Sequence, residues 1–191
     1  RGFWSQLIGY VCSIDSESGK RLLSQATIDG LSREASEVPE SLLLEPLIQI
    51  GSVDAKIAAC ICKALDFGRV GRGLTSPVYG TADLAIRVLV TLRRFDEDAG
   101  KAVWDSLDRK CICRWMNCPD NTGRAMEALK AARAFPNEWS REMLALIEPA
   151  TLAKTLEGET AEIHEAFLAS LQALSPVIAA EVRRRLDGLR E

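Results

Sequence analysis

The sequence predicts an all-α fold, a right-handed α-solenoid of about five antiparallel helix pairs, and three observations carry that expectation. Five gapless windows of 22 residues line up along the 191-residue chain. Within each window apolar residues recur at three- and four-residue spacing, which gives each helix one buried stripe. No segment alternates with period two, and β-branched runs are short, so no stretch reads as a strand.

The windows are IGYVCSIDSESGKRLLSQATID (8–29), EPLIQIGSVDAKIAACICKALD (45–66), RVLVTLRRFDEDAGKAVWDSLD (87–108), EALKAARAFPNEWSREMLALIE (127–148) and AFLASLQALSPVIAAEVRRRLD (166–187). Their third column holds Tyr10, Leu47, Leu89, Leu129 and Leu168, and their seventeenth holds Ser24, Ile61, Val103, Met143 and Val182. Successive windows are offset by 37, 42, 40 and 39 residues. Each reads as a helix, a break at the tenth column and a second helix. Glu17, Asp54, Asp96, Pro136 and Ser175 occupy the break. Asp and Ser there suit a helix N-cap, and Pro suits a first turn. Gly30, Gly68 and Gly188 follow closely as expected C-caps. The expected organisation is a single helical-repeat domain over 1–191, with repeats at about 3–30, 41–68, 81–110, 122–157 and 160–190, cut from a longer protein.

A helix pair cannot bury its stripe alone, so pairs must stack. A period near 40 resembles that of HEAT and armadillo α-solenoids, over nearly the whole chain and at the level of pattern. The first window departs from it, with Ser16 and Ser24 in apolar columns. The resemblance implies a module that binds partners along a groove or edge and supplies no chemistry of its own.

Composition narrows the function classes. The chain is 47% hydrophobic and 27% charged, which fits a folded domain rather than disorder. No apolar run approaches the roughly 20 residues a membrane span needs, and RGFWSQLIGYVCSID lacks the features of a signal peptide. The net charge of −3 is unevenly spread. Residues 1–66 carry −3, residues 67–133 carry +4 and residues 134–191 carry −4, so a basic middle lies between acidic ends.

Six cysteines are present, three of them in KCICRWMNCPD (110–120). Residues two apart on a helix point to nearly opposite faces, so Cys111 and Cys113 do not converge there. Structural zinc wants four ligands from wider Cys pairs, and the one histidine, His164, is far along the chain. The cysteines therefore read as small buried hydrophobes in a reducing, intracellular setting, with no metal and no cofactor. His164, between Glu162 and Glu165, has no nucleophile near it in sequence and reads as a surface or packing residue.

Residues 66–84 read as the longest non-helical insertion, an exposed Gly-rich loop without the strand or G-K-[ST] of a phosphate site. Asp29, Asp66, Asp108, Glu148 and Asp187 form an acidic column at the window ends, read as the solvated ends of second helices. Asp105 and Asp108 are read as sharing a helix face, and RRRLDGLRE as the basic end of a last helix. In the basic middle, Arg69, Arg72, Tyr79, Arg109, Arg114 and Trp115 are the candidate partner-binding residues, since Arg and aromatic side chains are enriched where proteins bind. The leading expectation is a non-catalytic scaffold whose partner is a protein or another domain of the parent chain. Two alternatives stay open. One is a nucleic-acid-binding helical-repeat domain of the HEAT-like DNA glycosylase type; the other is a helical effector with an activity of its own.

Overall fold

A computed structural model of the chain describes residues 3–37, 40–76, 81–117 and 122–189. Every regular element among them is an α-helix. The order is a long helix followed by two short ones, four times over, and then a final pair. These are α1 (Phe3–Ile14), α2 (Ser16–Gln25) and α3 (Ile28–Glu37); α4 (Glu40–Val53), α5 (Ala55–Lys63) and α6 (Phe67–Leu74); α7 (Ala82–Phe95), α8 (Glu97–Asp105) and α9 (Arg109–Asn117). They continue with α10 (Thr122–Ala134), α11 (Asn137–Ala145) and α12 (Pro149–Glu157), then α13 (Ala161–Leu174) and α14 (Pro176–Leu189). The all-α expectation holds, but the unit is larger than a pair: four times a third helix follows.

Local chemistry sets these boundaries. Asp54 accepts from the backbone N–H of Lys56 and Ile57, and Asp96 from that of Ala99, so each opens a second helix as the sequence predicts. In the first repeat the cap is Asp15, not Glu17; it accepts from Glu17 N–H at 3.1 Å. The first window is therefore two residues out of register. Shifted by two, its third column holds Ile8, 3% exposed, in place of Tyr10, 66% exposed. A register that buries the apolar residue wins over one that buries a phenol with no partner.

The acidic column has a different origin from the one expected. Thr27, Asp66, Asp108 and Glu148 directly precede α3, α6, α9 and α12, each twelve residues after the residue that precedes the second helix. Asp66 accepts from Arg69 N–H at 2.9 Å, and Thr27 from Gly30 N–H at 3.2 Å. Asp66 thus sits at the positive end of a new helix, where a carboxylate is favourable. Three corrections follow. Gly30 and Gly68 lie inside α3 and α6, and Gly188 inside α14, so none is a C-cap. The supposed loop 66–84 contains α6. Asp105 ends α8 while Asp108 lies beyond it, so the two share no helix face.

The tail is corrected as well. Arg183, Arg184 and Arg185 lie within α14, not in its last turn. Arg184 and Arg185 both reach Glu181 at 2.7 Å, and Arg183 pairs with Glu165 at 3.0 Å.

The chain divides into two compact units, Arg1–Asp108 and Arg109–Glu191. In the first, α1 packs on α4 and α4 on α7, while α3 lies against α5 and α6, and α6 against α8. Leu47, Ile50, Val88, Leu89, Val103 and Trp104 form its interior, each no more than 2% exposed. Close approach demands glycine at Gly71, where a Cβ would meet Ser106 Oγ at 2.1 Å, and at Gly51, where it would meet the Phe95 ring at 2.2 Å. In the second unit, α9 contacts α10, α11 and α12, α10 packs on α13, and α14 lies against α12 and α13. Ile112, Met116, Leu129, Met143, Leu152 and Phe167 fill that core. His164 is 5% exposed, and its Nε2 is hydrogen-bonded to the carbonyl of Leu156 near the end of α12.

One polar link recurs at the ends of the third helices. Ser36 Oγ accepts from Asp66 N–H at 3.0 Å, Thr75 Oγ1 from Asp108 N–H at 3.5 Å, and Asn117 Oδ1 from Glu148 N–H at 2.6 Å. In each case a side chain closing one third helix holds the backbone that opens the next.

Candidate functional site

One concavity among the described residues is a cleft of about 310 Å³ in the first unit, lined by Asp29, Ser32, Arg33, Ser36, Ala64, Asp66 and Arg69. Its space comes from small side chains: Ser32, Ser36 and Ala64 stand where larger residues would fill it. Ser32, 1% exposed, donates to Ile28 O at 2.8 Å, and Ser36 donates to Ser32 O at 2.8 Å while holding Asp66 N–H. The floor's hydroxyls are thus committed within the protein. The rim is charged. Asp29 and Arg33 stand one turn apart on exposed positions of α3, and Asp66 and Arg69 flank the start of α6.

Of the candidate residues read from sequence, Arg69 and Arg72 are both exposed on α6, because Val70, Gly71 and Leu74 take its buried face. Only Arg69 lines the cleft. Tyr79 lies outside the described residues. In the second unit α9 buries Cys111, Ile112, Met116 and Asn117. Arg109 pairs with Glu142 of α11 at 2.9 Å. Arg114 is exposed on the same face as Lys110, four residues back, while Trp115 is turned about 100° away and half-buried. Arg114 and Trp115 thus lie on different faces of α9.

The chain matches no known family model, curated protein or solved structure.

The cysteines sit where packing puts them. Cys12, Cys62 and Cys111 are buried, Cys60 is exposed and Cys113 is half-buried, while Cys118 lies outside the described residues. Burial, with a smaller contribution from the Asp96 carboxylate, pushes the Cys62 thiol up to about 12. Cys113 points toward the Leu146 carbonyl, 3.7 Å from its sulfur. No group of three or more His, Cys, Asp and Glu among the described residues is placed to hold a metal ion.

Elsewhere in the basic middle, charge is used internally. Arg93 pairs with Glu97 at 2.8 Å, Arg87 with Asp83 at 3.1 Å, and the Arg94 guanidinium lies 5.7 Å from the Phe95 ring centre. Sequence reasoning missed Asp29, Ser32, Arg33, Ser36 and Asp66 as lining residues. All five fall in the acidic stretch 1–66, and the cleft between α3 and α6 exists only because residues 67–74 form a helix.

Proposed function

We propose that the chain is an armadillo- or HEAT-like α-solenoid module that binds a protein partner and performs no catalysis. The observation that carries this reading is the recurring link from the end of one third helix to the start of the next, at Ser36–Asp66, Thr75–Asp108 and Asn117–Glu148. The Ser36 link ties α3 to α6 within the first unit, and the Asn117 link ties α9 to α12 within the second. A register of this sort turns exposed positions on separate helices into a surface with fixed spacing, which repeat proteins use for binding. Arg69 and Arg72 lie on the third helix α6 of the first unit; Arg114 and Trp115 lie on α9 of the second, which Arg109 opens. Arg with aromatic side chains is what such surfaces enrich.

The test is affinity capture from native lysate, with and without nuclease, using the whole chain and a combined Arg109→Ala, Arg114→Ala, Trp115→Ala variant of unchanged helicity. A discrete protein retained after nuclease and lost with the variant is the expected result. Capture of nucleic acid alone, with steep loss on adding salt, would replace this reading with the nucleic-acid one.

A further inference from the structure

We infer that each unit carries a pair of cations that holds an acidic stretch of a partner protein: Arg33 with Arg72 in the first, Arg114 with Lys154 in the second. This deepens the partner-binding reading and rests on it. The four are the sixth residues of α3, α6, α9 and α12. No other position of those helices carries one sign of charge in all four. The fourth residues, Leu31, Val70, Ile112 and Leu152, are all buried. With 3.6 residues per turn the sixth stands about 200° round from the fourth, so packing turns it outward, and all four cations are exposed. None of them makes a hydrogen bond or ion pair among the described residues. Arg87, Arg93 and Arg109, by contrast, are already paired with carboxylates.

The polar links set the spacing within each pair. Ser36 stands three residues after Arg33 and holds Asp66 N–H, six residues before Arg72. Asn117 stands three residues after Arg114 and holds Glu148 N–H, six residues before Lys154. At 1.5 Å per helical residue, each pair has one cation about 4.5 Å before its link and one about 9 Å after it. An extended peptide, rising about 3.3 Å per residue, bridges such a pair with roughly five residues. Carboxylates are the matching charge, and they bond strongly to guanidinium. A nucleic acid fits less well. Every nucleotide carries a phosphate, so a strand laid along a pair also meets Asp29, one turn before Arg33, and Asp66 or Glu148 at the link. A peptide can carry its acids only where the cations stand. Regional charge conceals these pairs, because Arg33 lies in the stretch of net −3 and Lys154 in that of net −4.

The experiment titrates the ¹⁵N-labelled whole chain with three probes of equal length: a Gly/Ser peptide with Glu at alternate positions, the same peptide with Gln, and oligothymidylate. The Glu peptide is expected to shift the amides around Arg33, Arg72, Arg114 and Lys154. Its affinity should exceed that of either other probe at least about fivefold, as one exposed charge pair supplies. Arg33→Gln with Arg72→Gln, checked for unchanged helicity, should remove the shifts in α3 and α6 and spare those in α9 and α12. Lys56→Gln with Lys101→Gln removes the same charge from exposed positions of α5 and α8, and should change nothing. Equal loss with that lysine pair would mark diffuse attraction and overturn the inference. So would shifts located elsewhere, equal binding of the Gln peptide, or oligothymidylate binding as tightly as the Glu peptide. A partner captured from lysate equally well by a chain with all four cations changed to Gln would leave the partner-binding reading intact while removing this one.

Discussion

Asn117 concentrates more of the second unit's polar bonding than any residue the sequence draws attention to. It is 4% exposed. Its Nδ2 donates to Cys113 O at 2.9 Å and to Leu146 O at 2.7 Å, and its Oδ1 accepts from Glu148 N–H at 2.6 Å. One amide thus ties the end of α9 to the turn between α11 and α12. Removing it leaves a backbone donor and a backbone acceptor without partners, each costing about 1–3 kcal/mol where buried. Asn117→Ala is therefore expected to lower unfolding free energy by about 2–4 kcal/mol in urea titration. Asn117→Asp keeps an acceptor for Glu148 N–H but loses the donor to Leu146 O, and should recover less than half of that loss. Full recovery by Asp would show that the Leu146 bond contributes nothing. The residue was legible in principle. Ser36, Thr75 and Asn117 each stand nine positions after Thr27, Asp66 and Asp108. The conspicuous cysteines around Asn117 carry no such pattern, and they pack as small apolar groups.

At the scale of elements, the first two helices of each repeat were readable because long apolar stripes and Asp caps mark them. The third helices were not. Among them α6 contains Gly68, Gly71 and Gly73, each of which lowers intrinsic helix preference by about 1 kcal/mol. Tertiary packing overrides that preference: Gly71 is where α6 meets Ser106, whose Oγ donates to Phe67 O at 2.8 Å. The acidic residues before α6, α9 and α12 were visible, but read as the end of a helix instead of the start of one; Thr27 holds that place before α3. Those acids also differ among themselves. Asp66 makes a side-chain cap bond, whereas Glu148 makes none and accepts instead from the Thr151 hydroxyl at 2.9 Å. Asp66→Ala is thus expected to cost about 1 kcal/mol, and Glu148→Ala less than about 0.5 kcal/mol. Equal losses in thermal or urea unfolding would mean that the acidic column acts through its charge on the helix dipole, not through capping.

At the scale of the whole molecule, periodicity conceals what contact reveals. The sequence reads as one repeat domain over 1–191, because the apolar columns recur from the second window through the fifth and, shifted by two residues, in the first. The division between the compact units falls at 108/109, inside the third repeat, between α8 and α9. Column patterns record which face of a helix is buried, not which neighbour buries it, so no composition shift or linker marks this point. Each unit nonetheless holds what a small domain needs. The first closes its last described link within itself, since Thr75 accepts the N–H of Asp108, and buries Trp104 at 1% exposure beside Leu89 and Val103. The second carries Trp139, Met143 and Phe167, each no more than 3% exposed, with Asn117 and His164 as its buried polar bonds. Chains of this size are marginal but can fold alone. The fragments 1–108 and 109–191 are therefore each expected to keep helical circular dichroism and to melt with a single sigmoidal transition. A fragment that stayed unfolded below room temperature would show that its core depends on residues beyond 108/109, and the repeat would then outrank the contact boundary as the unit of stability.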